Sequence, residues 1–323
     1  MNDGPLQVQT LVALGSALVH SVRGRDGEGA GVLHEAIGVA DRIGAPESAA
    51  QAHREMGYVE LLRGRYDRAQ RWLRNATTQA GEEPTERAWA LAIQGVASTD
   101  VGRYDDALSA FQEALRLAHA EQIDQVSAWV WTFTGRLHLL RQDLEQVREC
   151  LTKGLACARA QRWTAFVPLP EALLADVDLA EGRIDAASAA YEHAHALALQ
   201  LGDPCWEGHA ARGLGLVAAH QGDAATALHW VTEARHRCVR LPDAYLWVEG
   251  YCLDALCALA LEHQRVEASR WIDDLEALAT RTGMRELVAR AYAHRGKLGD
   301  RVAAEAARVL AAEVDNPALR RLQ

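Results

Sequence analysis

The chain has 323 residues, 49% of them hydrophobic, and a formal net charge of −10. That charge excludes a general nucleic-acid binder, because phosphate recognition needs a basic footprint; the locally basic stretch 281–323, with nine Lys or Arg against five Asp or Glu, reads as a solvated capping helix. Six cysteines with no CxxC pair read as free thiols on helix faces in a reducing cytoplasm.

In chain order, the apolar run 11–19 follows Asp3, without a basic leader, and is too short to span a membrane, so it reads as a first helix beginning near Pro5. The Gly-rich stretch 24–29 is a loose turn inside the first helix pair. A turn then recurs as Arg63-Gly64-Arg65-Tyr66-Asp67, Val101-Gly102-Arg103-Tyr104-Asp105, Glu181-Gly182-Arg183-Ile184-Asp185 and Gln221-Gly222-Asp223. Weaker copies at Gln142-Asp143 and His263-Gln264 fill the gaps, so turns fall at 64, 102, 142, 182, 222 and 263, spaced by 38, 40, 40, 40 and 41. A fixed period in this range marks a helical solenoid. In each copy a Gly or polar residue ends one helix where left-handed backbone costs least, and an Asp is expected to supply an oxygen near the next helix start.

After the turns, Ala69, Leu73 and Ala76 correspond to Ala107, Phe111 and Ala114, and their offsets of four and seven share one helix face. Seven positions before four of the turns stand Gly57, Gly95, Gly135 and Gly215, small residues that let paired helices touch. Helix pairs are expected at 5–43, 47–80, 84–120, 123–160, 164–201, 204–240, 243–282 and 284–314, in one domain covering 1–323. Pro168 and Pro170 place the first helix of the fifth pair near Pro170, since Pro suits only the first helical turn. The stretch 163–167 then becomes a longer connection, either an irregular loop or a gap that opens the inner surface.

The segment GRYDDALSAFQEAL from Gly102 to Leu115 resembles the tetratricopeptide repeat, and the period near forty resembles the arrays of MalT-like and LuxR-type regulators. The resemblance covers nearly the whole chain and is clearest over 47–120 and 170–240. It implies an all-α, right-handed superhelical α-solenoid of about eight antiparallel helix hairpins whose first helices line a concave groove. Carrying the register over from the small residues names Arg54, Tyr58, Trp89, Trp129, Phe133, Arg136, Asp176, His209 and Arg212 as groove candidates. Trp89 and Trp129 lie forty residues apart, and Trp206 and Trp247 begin later first helices, so a ladder of Trp side chains serves either packing or ligand contact.

Motifs for catalysis or cofactors are sparse. There is no GxxxxGK[ST] phosphate loop and no evident DNA-reading helix pair, so any ATPase or regulator associated with such an array is expected to be a separately encoded partner. Gly213-Leu214-Gly215-Leu216-Val217-Ala218 matches a dinucleotide fingerprint only formally, because it sits inside a helix with no strand before it. His193 and His195 diverge by about 200° around a helix, unlike a zinc pair. The expected function is therefore a non-catalytic scaffold or sensor without cofactor or metal. It would bind a protein or peptide in its concave groove in bacterial transcriptional or signalling control, in the cytoplasm, with no nucleic-acid or membrane partner. Two alternatives remain: a small-molecule receptor with a pocket around Trp129, Phe133 and Arg136, and an enzyme using groove residues such as His209 and Asp176. A closed pocket of roughly a few hundred Å³ would favour the receptor over an open channel.

Overall fold

The computed structural model describes residues 4–20, 24–81, 83–240, 245–314 and 316–319; Asp3 and the last four residues of the basic stretch lie outside them. Sixteen α-helices and no strand occur among the described residues, and they form eight hairpins. These are α1 (Gly4–His20) with α2 (Asp26–Ile43), α3 (Ala50–Leu62) with α4 (Tyr66–Gln79), and α5 (Pro84–Asp100) with α6 (Tyr104–Glu121). There follow α7 (Asp124–Arg141) with α8 (Leu144–Ala160), α9 (Pro168–Ala180) with α10 (Ile184–Leu201), and α11 (Pro204–His220) with α12 (Ala224–Cys238). The last two are α13 (Leu246–Glu262) with α14 (Ala268–Thr282) and α15 (Arg285–Lys297) with α16 (Arg301–Glu313).

Each odd helix packs on its hairpin partner and also on the next odd helix, so the odd helices form the inner layer of a solenoid. Their burial reflects this. In α3 every residue from Ala52 to Leu62 is buried, whereas α4 buries only the stripe that includes Ala69, Leu73 and Ala76.

The small residues act as the repeat pattern requires. A Cβ at Gly95 would lie 2.3 Å from Phe111 of α6, and one at Gly215 would lie 2.5 Å from Val231 of α12. Gly213 abuts the Tyr191 ring of the preceding hairpin, which accounts for the first glycine of the apparent dinucleotide fingerprint.

Left-handed backbone falls at Gly64, Gly102, Gln142, Gly182 and Gly222, and at Gln264, one residue after the expected position 263. The turn Asp departs from expectation. Only Asp223 caps its helix, accepting from the Thr226 amide at 3.0 Å. Asp67, Asp105 and Asp185 sit one residue inside the helix, behind an Arg that makes no side-chain cap, and face the positive end of the helix dipole.

Helix α9 begins at Pro168, with Pro170 in its first turn. The preceding connection does not open the groove. It forms a short 3-10 turn, Thr164–Phe166, and stacks Trp163 on Phe166 and Phe166 on Trp129.

The late hairpins return to the early ones. The Gly64 turn packs on Leu246 and Thr282, and the Gly102 turn on Val314 and Arg285. Tyr245 donates its hydroxyl hydrogen to Tyr58 at 2.8 Å, and Tyr104 donates to the buried Glu286 carboxylate at 2.5 Å. Asn316 donates to the same Glu286 oxygen at 2.9 Å. The solenoid thus closes across its own groove. No described helix is long and apolar enough to cross a membrane.

Candidate functional site

Because each inner helix follows its predecessor in the same direction, their N-terminal halves gather at one end of the groove and their C-terminal halves at the other. Closure by α13 leaves a separate cavity at each end.

The first cavity, of about 310 Å³, is lined chiefly by aromatic rings. Trp89 meets Trp129 edge-on at 6.0 Å, and Tyr58 meets Trp129 at 6.1 Å. Phe166 stacks on Trp129 at 5.5 Å and on Trp163 at 4.4 Å, while Trp206 stacks on Tyr245 at 5.4 Å. One corner is charged. Arg54 reaches Glu86 at 2.7 Å and Glu55 at 2.8 Å, and His20 at the mouth meets Glu55 at 2.7 Å. Burial opposes ionisation of Glu55, but Arg54 and His20 outweigh it and bring its pKa down to about 2.

The second cavity, of about 280 Å³, is lined by polar groups and leucines from the C-terminal halves of α7 and α9, from α11 and from the N-terminal half of α13. Three Asp–Arg pairs, each 36 residues apart, join successive inner helices around it: Asp100 to Arg136 at 2.7 Å, Asp176 to Arg212 at 3.3 Å, and Asp254 to Arg290 at 3.1 Å. Arg136 also lies over the Trp247 ring, 3.9 Å from its centroid. Burial opposes ionisation of Asp176, yet His209, Arg212 and the Tyr191 hydroxyl lower its pKa to about 2. Burial likewise opposes ionisation of Asp254, but Arg290 and His294 hold it well below the usual carboxylate range. At Asp100 burial prevails over Arg136 and the pKa is raised.

Of the residues singled out in the sequence, Arg54, Tyr58, Trp89 and Trp129 line the aromatic cavity, and Arg136, Asp176, His209 and Arg212 line the polar one. Phe133 lines neither. It is 1% exposed and packs on Trp129 at 4.6 Å. Trp206 and Trp247 fall in different cavities. Sequence reasoning missed Trp163 and Phe166 in the wall and Tyr245, packed behind Tyr58 and Trp206. The displaced prolines at 168 and 170 flagged the wall segment, but nothing local marks Tyr245, which meets Tyr58 across 187 residues. The histidine pair diverges as expected: His193 meets Glu171 at 2.7 Å, and His195 packs edge-on against Trp230.

A family model described as the MalT-like TPR region matches residues 44–311. No curated protein matches the sequence. Among solved structures, the chain is similar to a Rap protein complexed with competence and sporulation factor, with TM-score 0.70, 10% identity, and coverage of 96% of this chain and 89% of that one. It is similar to NprR in complex with its cognate peptide NprX, with TM-score 0.67, 12% identity and coverage of 95% and 88%. A third similar structure is a signal transduction ATPase with numerous domains and a tetratricopeptide repeat sensor, from Pyrococcus horikoshii. Its TM-score is 0.52 at 12% identity, and the chain spans 96% of its own length and 52% of that protein's. At these identities the likeness is one of fold.

Proposed function

The chain belongs to the MalT-like TPR family, and from that premise we propose that it is a non-catalytic sensor module that binds a short peptide segment in the aromatic cavity. The observation that carries this reading is the row of aromatic rings beside the charged Arg54–Glu55–His20 corner. A cavity of about 310 Å³ walled by Trp89, Trp129, Trp163 and Trp206 stands at the small end of ligand pockets, roughly 300–1,000 Å³. It has room for one or two side chains of a peptide and none for a long threaded segment. The rings supply contact area with little rotamer entropy to lose, and the Arg54–Glu55–His20 corner supplies polar groups for a backbone or terminus.

Two solved structures of similar fold are complexes with a peptide or signalling factor by their own descriptions, which supports the peptide reading. A non-catalytic role is supported by the state of the groove carboxylate: Asp176, with a pKa of about 2 and held by three partners, is a poor general base near neutral pH. The bound state would be passed to a separately encoded regulator or ATPase in bacterial signalling. A cytoplasmic setting is supported by the six free cysteines. The same enclosure favours a second reading, a small-molecule receptor at the same cavity.

The test is native mass spectrometry of the protein recovered from its own cytosol, beside a Trp163→Ala variant. Trp163 is only half-buried, so its removal opens the wall with the fold retained. A peptide mass retained by the wild type and lost by the variant bears out the proposal. A retained non-peptide mass moves the assignment to the receptor, and equal retention by both proteins removes the aromatic cavity as the site.

A further inference from the structure

The polar cavity has a surplus of hydrogen-bond donors. The carboxylates in its lining are already engaged: Asp176 takes the Tyr191 hydroxyl at 2.7 Å and Arg212 at 3.3 Å, and Asp254 takes His294 at 2.7 Å and Arg290 at 3.1 Å, while Asp100, behind Arg136 and outside the lining, keeps Oδ2 without a hydrogen bond among the described residues. The donors of the lining are not all engaged. Arg136, 2% exposed, gives only Nη1 to Asp100, and its Nε and Nη2 make no hydrogen bond among the described residues. Arg212 uses Nε on the Tyr251 carbonyl oxygen and Nη1 on Asp176, leaving Nη2 without a bond among the same residues. Trp247, 2% exposed, has a buried indole N–H with no partner among the described residues. All three side chains line the one cavity.

A buried donor without a partner is costly, and several around one cavity are best satisfied together by an acceptor-rich group. Guanidinium forks match a carboxylate in both charge and plane. Leu139, Leu173 and Leu216 on the remaining wall suit an organic body more than a bare inorganic ion. We infer that this cavity is a second binding site, for a small organic carboxylate held by Arg136, Arg212 and the Trp247 N–H.

This site is independent of the peptide reading, because Tyr58, Tyr245 and the Arg136–Trp247 stack stand between the two cavities. A carboxylate could reach it as a free acid or as the C-terminus of a bound peptide, and the two sources leave different traces. A free acid touches Trp247 alone, whereas a peptide entering from the aromatic side also perturbs Trp163.

The experiment is titration of the ¹⁵N-labelled full chain with succinate, following the Trp247 and Trp163 indole N–H signals assigned by Trp247→Phe and Trp163→Phe. Succinamide, of the same shape without charge, is the control ligand, and a short peptide prepared with a free and with an amidated C-terminus is the second arm. The expected result is a saturable shift of Trp247 by succinate, none of Trp163, binding of succinamide weaker by about tenfold or more, and a similar loss in Arg212→Gln. A shift of both indoles by the free-acid peptide alone, with succinate silent, overturns a free-acid ligand and assigns the carboxylate to a peptide end. Silence of Trp247 in both arms, or equal binding of succinamide, overturns the site altogether. The aromatic cavity is read separately through Trp163, so failure here leaves the peptide proposal to its own test.

Discussion

A methyl group at Gly95 has nowhere to go, because Phe111 of the partner helix already occupies the position 2.3 Å from where it would stand. Gly95→Ala is expected to force the hairpin apart and cost about 1–3 kcal/mol, read as a lower urea midpoint. The same substitution at Gly31, which has no heavy atom within 4 Å, should stabilise by helix propensity instead, and a matched loss at both positions would remove the packing explanation. The inner-face carboxylates act at the same scale. Glu55 and Asp176 have folded pKa values of about 2, below the ordinary range, so the folded state binds their protons more weakly than the unfolded chain does. Their stabilisation is complete above about pH 5 and is lost as pH falls toward 2, amounting to roughly 2–3 kcal/mol for Glu55. Glu55→Gln should therefore lower stability at pH 7 and flatten the acid limb of a plot of Tm against pH. An unchanged acid limb would mean that the pair with Arg54 and His20 does not form in solution.

At the scale of the helix pair, the turns show how much the sequence reveals and where it falls short. Position 142 carries Gln and not Gly, yet takes the same left-handed backbone, φ 60°, as the glycine turns at 64, 102, 182 and 222. The weak copy was legible because the period located it, not because its residue suited it. A side chain in this conformation costs about 1–2 kcal/mol, part of which Gly returns through its greater freedom in the unfolded chain. Gln142→Gly is thus expected to raise Tm modestly, by roughly 0.5–1 kcal/mol of stability, whereas Gly182→Gln should lower it. A fall in Tm for Gln142→Gly would show that the Gln side chain contributes contacts exceeding the backbone strain. The aromatic wall was legible in part. Trp89 and Trp129 followed from register, but Trp163 and Phe166 sit in an interruption of the repeat, where register carries no information and only the 3-10 turn brings them inward.

At the scale of the whole molecule, ring closure is what the repeat pattern could not contain, since a one-dimensional array is specified by neighbours only. Contacts such as Tyr104 with Glu286 and Tyr58 with Tyr245 join residues 182 and 187 apart, and no period announces them. Closure alters the folding energetics as well as the groove. In an open array the end hairpins unfold at little cost to the rest, whereas here the seventh and eighth hairpins are held by the second and third. Removing the Tyr104 hydroxyl takes a hydrogen bond from the buried Glu286 side chain, a loss of about 1–3 kcal/mol. Tyr104→Phe combined with Tyr245→Phe is therefore expected to release the last hairpins as a unit, with faster amide exchange in α13–α16, unchanged exchange in α7–α10 and a larger radius of gyration. Because Tyr58 both lines the aromatic cavity and accepts the Tyr245 hydroxyl hydrogen, a ligand that orders Tyr58 favours the closed ring, and by reciprocity the closed ring favours the ligand. The double variant should then bind the cavity ligand more weakly although Tyr58 and the tryptophans are intact. Equal affinity in the open and closed forms would separate closure from sensing and leave the latch a purely structural device.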